Sequence, residues 1–182
     1  MSKVNLLCCL MPILVIVILP GCKGHSIVDF ENPELPSTSL PNEVSQEIRK
    51  RYSVDGVFVA PLIRHSRLEN EDSGYEVRIE AFYQEAVEIE IKKLSLTRDG
   101  EPIVLESPFS DSLMDDFRYN NSYQAYYAYI NSPPFSITAP EDTKKLHVIL
   151  NIEVKKGDGT TKSGTVEATF EPRKRTYYFP QA

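Results

Sequence analysis

The sequence predicts an all-β protein, folded as an antiparallel Greek-key β-sandwich with one short N-terminal helix. Three observations point to this class. Apolar and polar residues alternate with period two in several segments after Val54, turn-forming residues separate these segments, and no helical repeat occurs among them. Six to eight short strands of this kind bury one face and expose the other, which favours two antiparallel sheets packed together.

Two central strands show the alternation most clearly. In YEVRIEAFY, which begins at Tyr75, the apolar residues predict one buried face. In VEIEIKKLSLTR, which begins at Val87, the alternation shifts by one residue at Lys92 and Lys93 before it resumes at Leu94. Because an uncorrected shift would turn every later apolar side chain to the other face, we expect a β-bulge there.

The closing part of the chain predicts a long hairpin. Apolar residues at every second position from Leu146 to Val154 form one face, and Val166, Ala168 and Phe170 form the face of the return strand. The glycine turn GDG joins the two strands. The set of strands is typical of an immunoglobulin-like architecture, although the chain has no Trp and lacks the cysteine pair of true immunoglobulin domains.

A short helix is expected over residues 42–52, ahead of the first long strand. Asn42 is placed to cap it, Glu47 lies early and a basic run that starts at Arg49 lies late, an order that complements the helix dipole. Its apolar stripe is narrow, so we expect it to cover an edge of the domain. The predicted β-sandwich domain, with this leading helix, spans residues 42–182.

The N-terminal segment has the pattern of a secretory signal peptide. An uncharged, almost wholly apolar run follows Lys3 and ends in Leu19-Pro20-Gly21-Cys22. This ending resembles the lipobox of bacterial lipoproteins, with Pro20 as its departure from the usual small residue. The resemblance implies that residues 1–21 are a lipoprotein signal peptide, that Cys22 carries acyl chains such as palmitate, and that the mature protein is bound to a membrane through this lipid.

The cysteine count supports this interpretation of Cys22. Cys8 and Cys9 lie in the segment that would be removed, so Cys22 has no disulfide partner in the mature chain. The alternative is an uncleaved N-terminal anchor with an incidental cysteine. Lys23 follows the cysteine, where Asp is the inner-membrane retention signal of Gram-negative lipoproteins. The resemblance therefore implies the cell envelope, at the periplasmic face of the outer membrane rather than at the inner membrane.

Residues 22–41 are expected to form a flexible, lipid-anchored tether. Three prolines stand there among polar residues, without a sustained apolar period. A flexible coil of this length would span roughly 25 Å. The alternative is that Ile27, Val28 and Phe30 dock on the domain as an early strand.

Composition excludes several function classes. The formal net charge is −6, which argues against nucleic acid as a partner, because phosphate binding needs a clustered basic surface. His25, His65 and His147 are scattered, and the chain beyond Cys22 has no cysteine, so we expect no metal and no cofactor. Motifs for a catalytic serine, a zinc protease or a phosphate-binding loop are also absent from the sequence, and no catalytic residue is assigned.

The candidate partner-binding residues are five tyrosines in one segment: Tyr119, Tyr123, Tyr126, Tyr127 and Tyr129. Aromatic enrichment favours a strand there, although the spacing also fits a helix. An exposed set of tyrosines would bind a glycan, a peptide or a protein through large rings with polar tips. The alternative is that most of them pack over the sandwich.

The basic and aromatic run RKRTYYF, which starts at Arg173, also has two interpretations. One is a docking tail for an anionic surface such as peptidoglycan or lipid headgroups. The other is a last strand with solvated basic residues, which the net negative charge of the chain favours.

Taken together, these features predict a non-enzymatic, membrane-anchored envelope lipoprotein whose β-sandwich binds an envelope protein or glycan, or supports an assembly. A first alternative is an envelope hydrolase or carbohydrate-modifying enzyme that uses carboxylates among Glu85, Glu88, Asp115 and Asp116. A second is an enzyme inhibitor that acts through the polar loop at residues 64–74.

Overall fold

Two antiparallel sheets pack face to face in the structure, a computed structural model that describes residues 23–35, 42–66, 74–105, 107, 109 and 111–179. At residues 23–25 and 177–179 it describes the backbone alone. The first sheet has the order β1 (Lys23–Glu31), β12 (Thr161–Phe179), β11 (Leu146–Lys155), β5 (Glu88–Arg98) and β6 (Glu101–Pro102), and β7 (Ser112–Met114) pairs with the other end of β5.

The second sheet has the order β2 (Ser53–Val54), β3 (Val57–Ser66), β4 (Gly74–Tyr83), β9 (Ala125–Asn131) and β8 (Arg118–Asn120), with β10 (Phe135–Ser136) beside β4. The helix α1 (Gln46–Arg51) and a 3-10 helix at Pro140–Asp142 complete the described elements. None of the helices in the described ranges has the length and apolar character needed to cross a membrane.

The strand order confirms the predicted fold class. The orders β3-β4-β9-β8 and β6-β5-β11-β12 are those of an immunoglobulin-like sandwich. The chain crosses from the second sheet to the first between β4 and β5 and again between β10 and β11, which makes the connections those of a Greek key. The strand β1 is an addition at the outer edge of β12.

The core lies between the sheets and follows the predicted alternation. Every second residue of β11, from Leu146 to Val154, is buried, and so are Val166, Ala168 and Phe170 of β12. The opposite layer comes from alternate residues of β4. The predicted faces of the closing hairpin and of the strand at Tyr75 are therefore confirmed.

The predicted β-bulge in β5 is confirmed as well. Lys93 pairs with Asn151 and Ile91 pairs with Ile152, so Lys92 is the extra residue between two consecutive partners on β11. The bulge keeps Ile91 and Leu96 in the core on either side of the shift. Without it, one half of β5 would present its polar residues to the opposite sheet.

The predicted tether over residues 22–41 is wrong for residues 23–31, which form β1. This strand pairs with β12 along its whole length, and Val28 and Phe30 are only 9% and 3% exposed. The early strand that the apolar residues left open as an alternative is thus observed, and the sandwich begins at Lys23 rather than at residue 42. Cys22 and residues 36–41 lie outside the described residues.

Contacts from both sheets hold this N-terminal segment in place. The Tyr75 hydroxyl of β4 donates a hydrogen bond of 2.9 Å to the Val28 carbonyl, and the Tyr75 ring meets the Phe30 ring edge-on at 5.3 Å between centroids. After the strand, the Asn32 side chain accepts a hydrogen bond from the Glu34 N–H and donates one to the Tyr52 hydroxyl. The two tyrosine partners lie 47 and 20 residues further along the chain, so local sequence patterns do not reveal these contacts.

The leading helix is shorter than predicted. It begins at Gln46, and the Ser45 hydroxyl, not the Asn42 side chain, caps it by accepting a hydrogen bond of 3.3 Å from the Ile48 N–H. The Asn42 side chain instead accepts a hydrogen bond from Arg49. Serine and asparagine are similarly good helix caps. Because the helix begins at Gln46, the capping position is that of Ser45 and not that of Asn42. The residue Tyr52, after the helix, is buried in the core.

Candidate partner-binding surface

Strand β9 distributes the tyrosines between two faces. Tyr127 and Tyr129 share one face of the strand, as expected for period two, and this is the outer face of the second sheet. Tyr126 and the buried Ala128 lie on the face toward the first sheet. Tyr123 belongs to the turn before β9. The strand interpretation of this segment is therefore confirmed from Ala125 onward.

Two of the tyrosines pack over a buried ring. The Phe82 ring lies 5.3 Å from the Tyr123 ring and 5.0 Å from the Tyr127 ring, and these two tyrosines contact each other edge-on at 5.2 Å. Both are half-buried, while Phe82 is buried. Aromatic clusters of this geometry stabilise a fold, so Tyr123 and Tyr127 serve mainly as packing residues.

A polar network fixes the Tyr127 hydroxyl. It accepts a hydrogen bond of 2.8 Å from Arg78 Nη2 and donates one of 3.0 Å to Glu80 Oε1, which also accepts a 2.8 Å bond from Arg78 Nε. Burial raises the pKa of the Tyr127 hydroxyl, although the Arg78 bond opposes this rise. Burial acts against the charge of Arg78, but its bonds to Tyr127 and Glu80 outweigh that effect and raise its pKa.

Tyr129 is held in place yet remains accessible. The Arg78 guanidinium lies 3.6 Å from the centroid of its ring, and the ring is tilted against Tyr127 at 6.1 Å. Such a cation–π contact contributes about 1 kcal/mol and restricts the side chain before any partner arrives. Because Tyr129 is still 51% exposed, it presents a positioned aromatic surface to solvent.

Tyr119 presents a second exposed ring at the edge of the second sheet, on the face opposite to that of Tyr129. It is the cross-strand partner of Tyr126, whose ring it meets edge-on at 5.5 Å. Directly paired residues point to the same face, so Tyr119 lies on the side of Tyr126 and not on that of Tyr129. At 55% exposure, Tyr119 is as accessible as Tyr129.

An open groove connects these two rings at the edge of the sheet. Strand β8 pairs with β9 only as far as Tyr127, and within the described part of the chain no strand is paired with the remaining edge up to Asn131. The groove there has a volume of about 530 Å³, and its lining includes Tyr119, Tyr129 and the polar side chains of Asp116, Arg118 and Asn120. The Arg118 guanidinium donates two hydrogen bonds of 2.9 Å to the Asp116 carboxylate.

Sequence reasoning named the tyrosines but missed their polar partners Arg78, Glu80 and Arg118. Arg78 and Glu80 stand at the polar positions of an alternating strand, which normally indicates a solvated face. Their position beside Tyr127 and Tyr129 depends on the pairing of β4 with β9, which the local pattern does not specify.

The carboxylates proposed for an alternative enzymatic role come together only in part. Glu88 and Asp115 line one shallow cavity of about 250 Å³ together with Lys155 and Lys156. Lys155 Nζ donates a 2.8 Å hydrogen bond to the Glu88 carboxylate. Asp116 has Arg118 as its partner, and Glu85 is exposed and does not line this cavity.

Other sequence candidates lie apart or outside the described residues. No group of three His, Cys, Asp or Glu side chains suited to a metal ion occurs among the described residues. His65, on β3 of the second sheet, lies 3.1 Å from Asp29. His147, on β11 of the first sheet, forms a 3.2 Å hydrogen bond with Thr169 of the neighbouring strand β12. Residues 67–73 of the proposed inhibitory loop and the lipidation residue Cys22 lie outside the described residues.

Comparisons with protein-family models, with curated proteins and with solved structures found no significant match to the chain. The fold assignment therefore depends on the strand order, and the candidate surface is judged by its own geometry.

Proposed function

We propose that this protein is a lipid-anchored, non-enzymatic component of a bacterial cell envelope, whose β-sandwich binds a partner protein along the open edge of β9. The proposed anchor is supported by the resemblance of Leu19-Pro20-Gly21-Cys22 to the lipobox of bacterial lipoproteins. The observation that carries the binding role is the groove at the sheet edge, with Tyr119 on one face and Tyr129 on the other.

The two faces favour an extended peptide segment over a glycan as the bound group. An extended chain directs successive side chains to opposite faces, so one strand placed on the β9 edge would contact Tyr119 and Tyr129 with alternate residues. Its backbone would pair with the edge beyond Tyr127, as in other complexes that form by strand addition. Tyr and Arg are also the residues most enriched in protein interfaces, and Arg118 lines this groove.

The fixed position of Tyr129 supports the same role. The Arg78 contact holds the ring, and the network through Tyr127 and Glu80 holds Arg78. A side chain that is already ordered loses less entropy on binding, and each immobilised side chain otherwise costs about 0.5 to 1.5 kcal/mol. Tyr129 therefore has the properties of an interface anchor.

Site-specific photocrosslinking in intact cells tests the binding role. A photoreactive phenylalanine analogue at Tyr129 and, separately, at Tyr119 is expected to capture the same partner protein. The matched control is the analogue at Val104, which is 86% exposed and does not line the groove. Tyr129→Ala combined with the analogue at Tyr119 should abolish the product.

Three outcomes contradict this proposal. Identical products at Val104 and Tyr129 would show non-specific capture. No product at either tyrosine would remove the binding role. A product that shifts in mass after digestion of glycans, and contains no second protein, would assign a glycan to the groove instead.

The proposed address is the periplasmic face of the outer membrane, because Lys23 stands where Asp would retain a lipoprotein at the inner membrane. Lys23→Asp is expected to move the protein to the inner-membrane fraction. Equal distribution of the native protein and the Lys23→Asp variant between the two membranes would contradict this address.

A further inference from the structure

The start of β1 lies beside the end of β12. Lys23 is the cross-strand partner of Phe179, and residues 24 and 25 pair with Tyr178 and Tyr177. Lys23 follows Cys22 directly in the sequence. The proposed lipid attachment is therefore one residue away from a strand pair whose second strand contributes three consecutive aromatic residues.

This pair of strand ends, residues 23–27 and 175–179, is called the anchor ribbon below. Among the residues whose side chains the structure describes, the first core residue of β1 is Val28 and the last large core residue of β12 is Phe170. At about 3.4 Å per residue, Lys23 lies about 17 Å along the strand from Val28. A paired ribbon replaces the flexible coil that sequence patterns predicted for these residues, and the paired backbone extends as far as Lys23.

Two of the three basic residues at positions 173–175, Arg173 and Arg175, already have ion-pair partners on β1. Arg173 and Arg175 both form ion pairs with Glu31, and Arg175 Nε lies 3.0 Å from the Asp29 carboxylate. The Arg173 hydrogen bond in particular lowers the pKa of Glu31, although burial opposes this. Because these contacts compensate the charge of the two arginines within the protein, attraction to anionic lipids is not the main chemistry that this ribbon offers.

The aromatic residues offer a different chemistry. Tyrosine combines an apolar ring with a polar hydroxyl, and it is enriched at the level of lipid headgroups in membrane proteins. The acyl chains on Cys22 would hold the adjacent Lys23 at the bilayer surface, and the cross-strand register would bring Tyr177, Tyr178 and Phe179 to the same level.

We propose that Tyr177, Tyr178 and Phe179 form a second membrane contact, which acts together with the lipid on Cys22 and sets the orientation of the domain on a lipid bilayer. This inference rests on the proposed lipidation of Cys22. Two contacts on one ordered ribbon restrict the tilt of the domain, whereas a lipid on a flexible coil would leave the groove at β9 free to point in any direction.

The chain contains no Trp, which allows a direct spectroscopic test. Phe179→Trp places a single tryptophan at the proposed contact, Tyr178→Trp provides a second probe one residue away, and Tyr129→Trp is the matched control on the outer face of the second sheet. Each full-length variant is purified with its native N-terminal modification. It is then reconstituted in phosphatidylcholine vesicles, with or without bromine on the acyl chains.

The expected result is an approximately twofold or greater loss of emission at positions 178 and 179 with brominated lipid, and almost none at position 129, because brominated acyl chains quench only a tryptophan that they contact and aromatic residues at the membrane interface lie within their reach. Emission at positions 178 and 179 that is as insensitive to bromine as that of the control would overturn the proposal. A blue-shifted but unquenched tryptophan would also overturn it, because the aromatic residues would then pack on the domain. Quenching that occurs only when anionic lipid is added would replace the aromatic contact with a charge-driven one.

The same preparation separates failure of this inference from failure of the proposed function. The mass of the N-terminal peptide shows whether Cys22 carries a lipid. A lipidated Cys22 with unquenched probes contradicts the membrane contact alone, whereas an unmodified N-terminus contradicts the lipoprotein assignment itself.

Discussion

Replacing Tyr75 with Phe removes the hydroxyl that connects the second sheet to β1. In the native protein this hydroxyl donates a 2.9 Å hydrogen bond to the Val28 carbonyl, and the residue is 1% exposed. Tyr75→Phe retains the ring, which packs edge-on against Phe30 at 5.3 Å and near Phe135 at 6.1 Å. The substitution therefore isolates one long-range hydrogen bond to the strand that sequence patterns assigned to a tether.

The expected loss in the free energy of unfolding is about 1 to 2 kcal/mol at neutral pH. A hydrogen bond makes a net contribution of about 1 kcal/mol to stability, and the Val28 carbonyl would in addition lose a partner in a buried site. Burial also raises the pKa of Tyr75 to about 12, with smaller contributions from Asp29 and Glu141. A raised pKa in the folded state stabilises the protein below the unfolded value of about 10, and this contribution disappears between about pH 10 and pH 12. At about pH 11 the native protein should have lost about 1.4 kcal/mol through this residue.

Urea denaturation followed by circular dichroism measures both effects. At about pH 8 the Tyr75→Phe variant should be less stable than the native protein, and by about pH 11 the difference should shrink by about 1.4 kcal/mol, because only the native protein has this hydroxyl to ionise. The control is Tyr119→Phe at an exposed position, with an expected change within about 0.5 kcal/mol at both values. A Tyr75→Phe variant as stable as the native protein at about pH 8, or a difference that does not change with pH, would refute this reasoning.

Two further predictions use the same denaturation measurement. A Cβ atom at Gly164 would lie 2.5 Å from a methyl carbon of Val54, so Gly164→Ala should destabilise the protein by about 1 to 3 kcal/mol. The control Gly157→Ala adds a Cβ atom in open space and should change stability by less than about 0.5 kcal/mol. Equal effects of the two substitutions would contradict the close approach of β12 and β2. The hydrogen bond from Arg173 lowers the pKa of Glu31 in the folded protein. The ionised Glu31 therefore stabilises the protein at pH values above the usual carboxylate pKa, and this stabilisation is lost as the pH falls through the lowered pKa. Glu31→Gln should therefore cost about 0.5 to 1 kcal/mol near neutral pH and nothing in strong acid, and a cost that is equal at both would contradict the ion pair.

Period-two patterns predicted those parts of the fold whose burial depends on local alternation. The faces of β4 and β11 and the bulge at Lys92 were accessible in this way, because a strand with one buried face constrains its own sequence. The closing turn was equally clear, since Gly159 adopts a positive φ of 84° that glycine tolerates best.

The same reasoning offered the strand β1 only as an alternative to a tether. It has few apolar residues, prolines follow it, and its partner β12 lies about 150 residues away, so the pairing of Ile27 with Arg175 leaves no mark on the local pattern. Propensity also did not decide between Asn42 and Ser45 as the cap of α1, because both residue types cap helices well.

The candidate surface was predictable as residue types but not as an arrangement. Tyrosine enrichment indicated the segment, and the alternation placed Tyr127 and Tyr129 together. Which rings pack on the domain and which remain exposed can be told only from the neighbours of each ring. The decisive neighbours are Phe82 beside Tyr127 and Arg78 beside Tyr129. These contacts arise from cross-strand register, which single-sequence patterns do not encode.

We propose that a lipid on Cys22 joins this sandwich to a membrane, and mass spectrometry of the N-terminal peptide from membrane-extracted protein decides whether it does. The expected peptide begins at Cys22 and carries the added mass of acyl chains. A peptide that begins at Met1, or an unmodified cysteine, would contradict it.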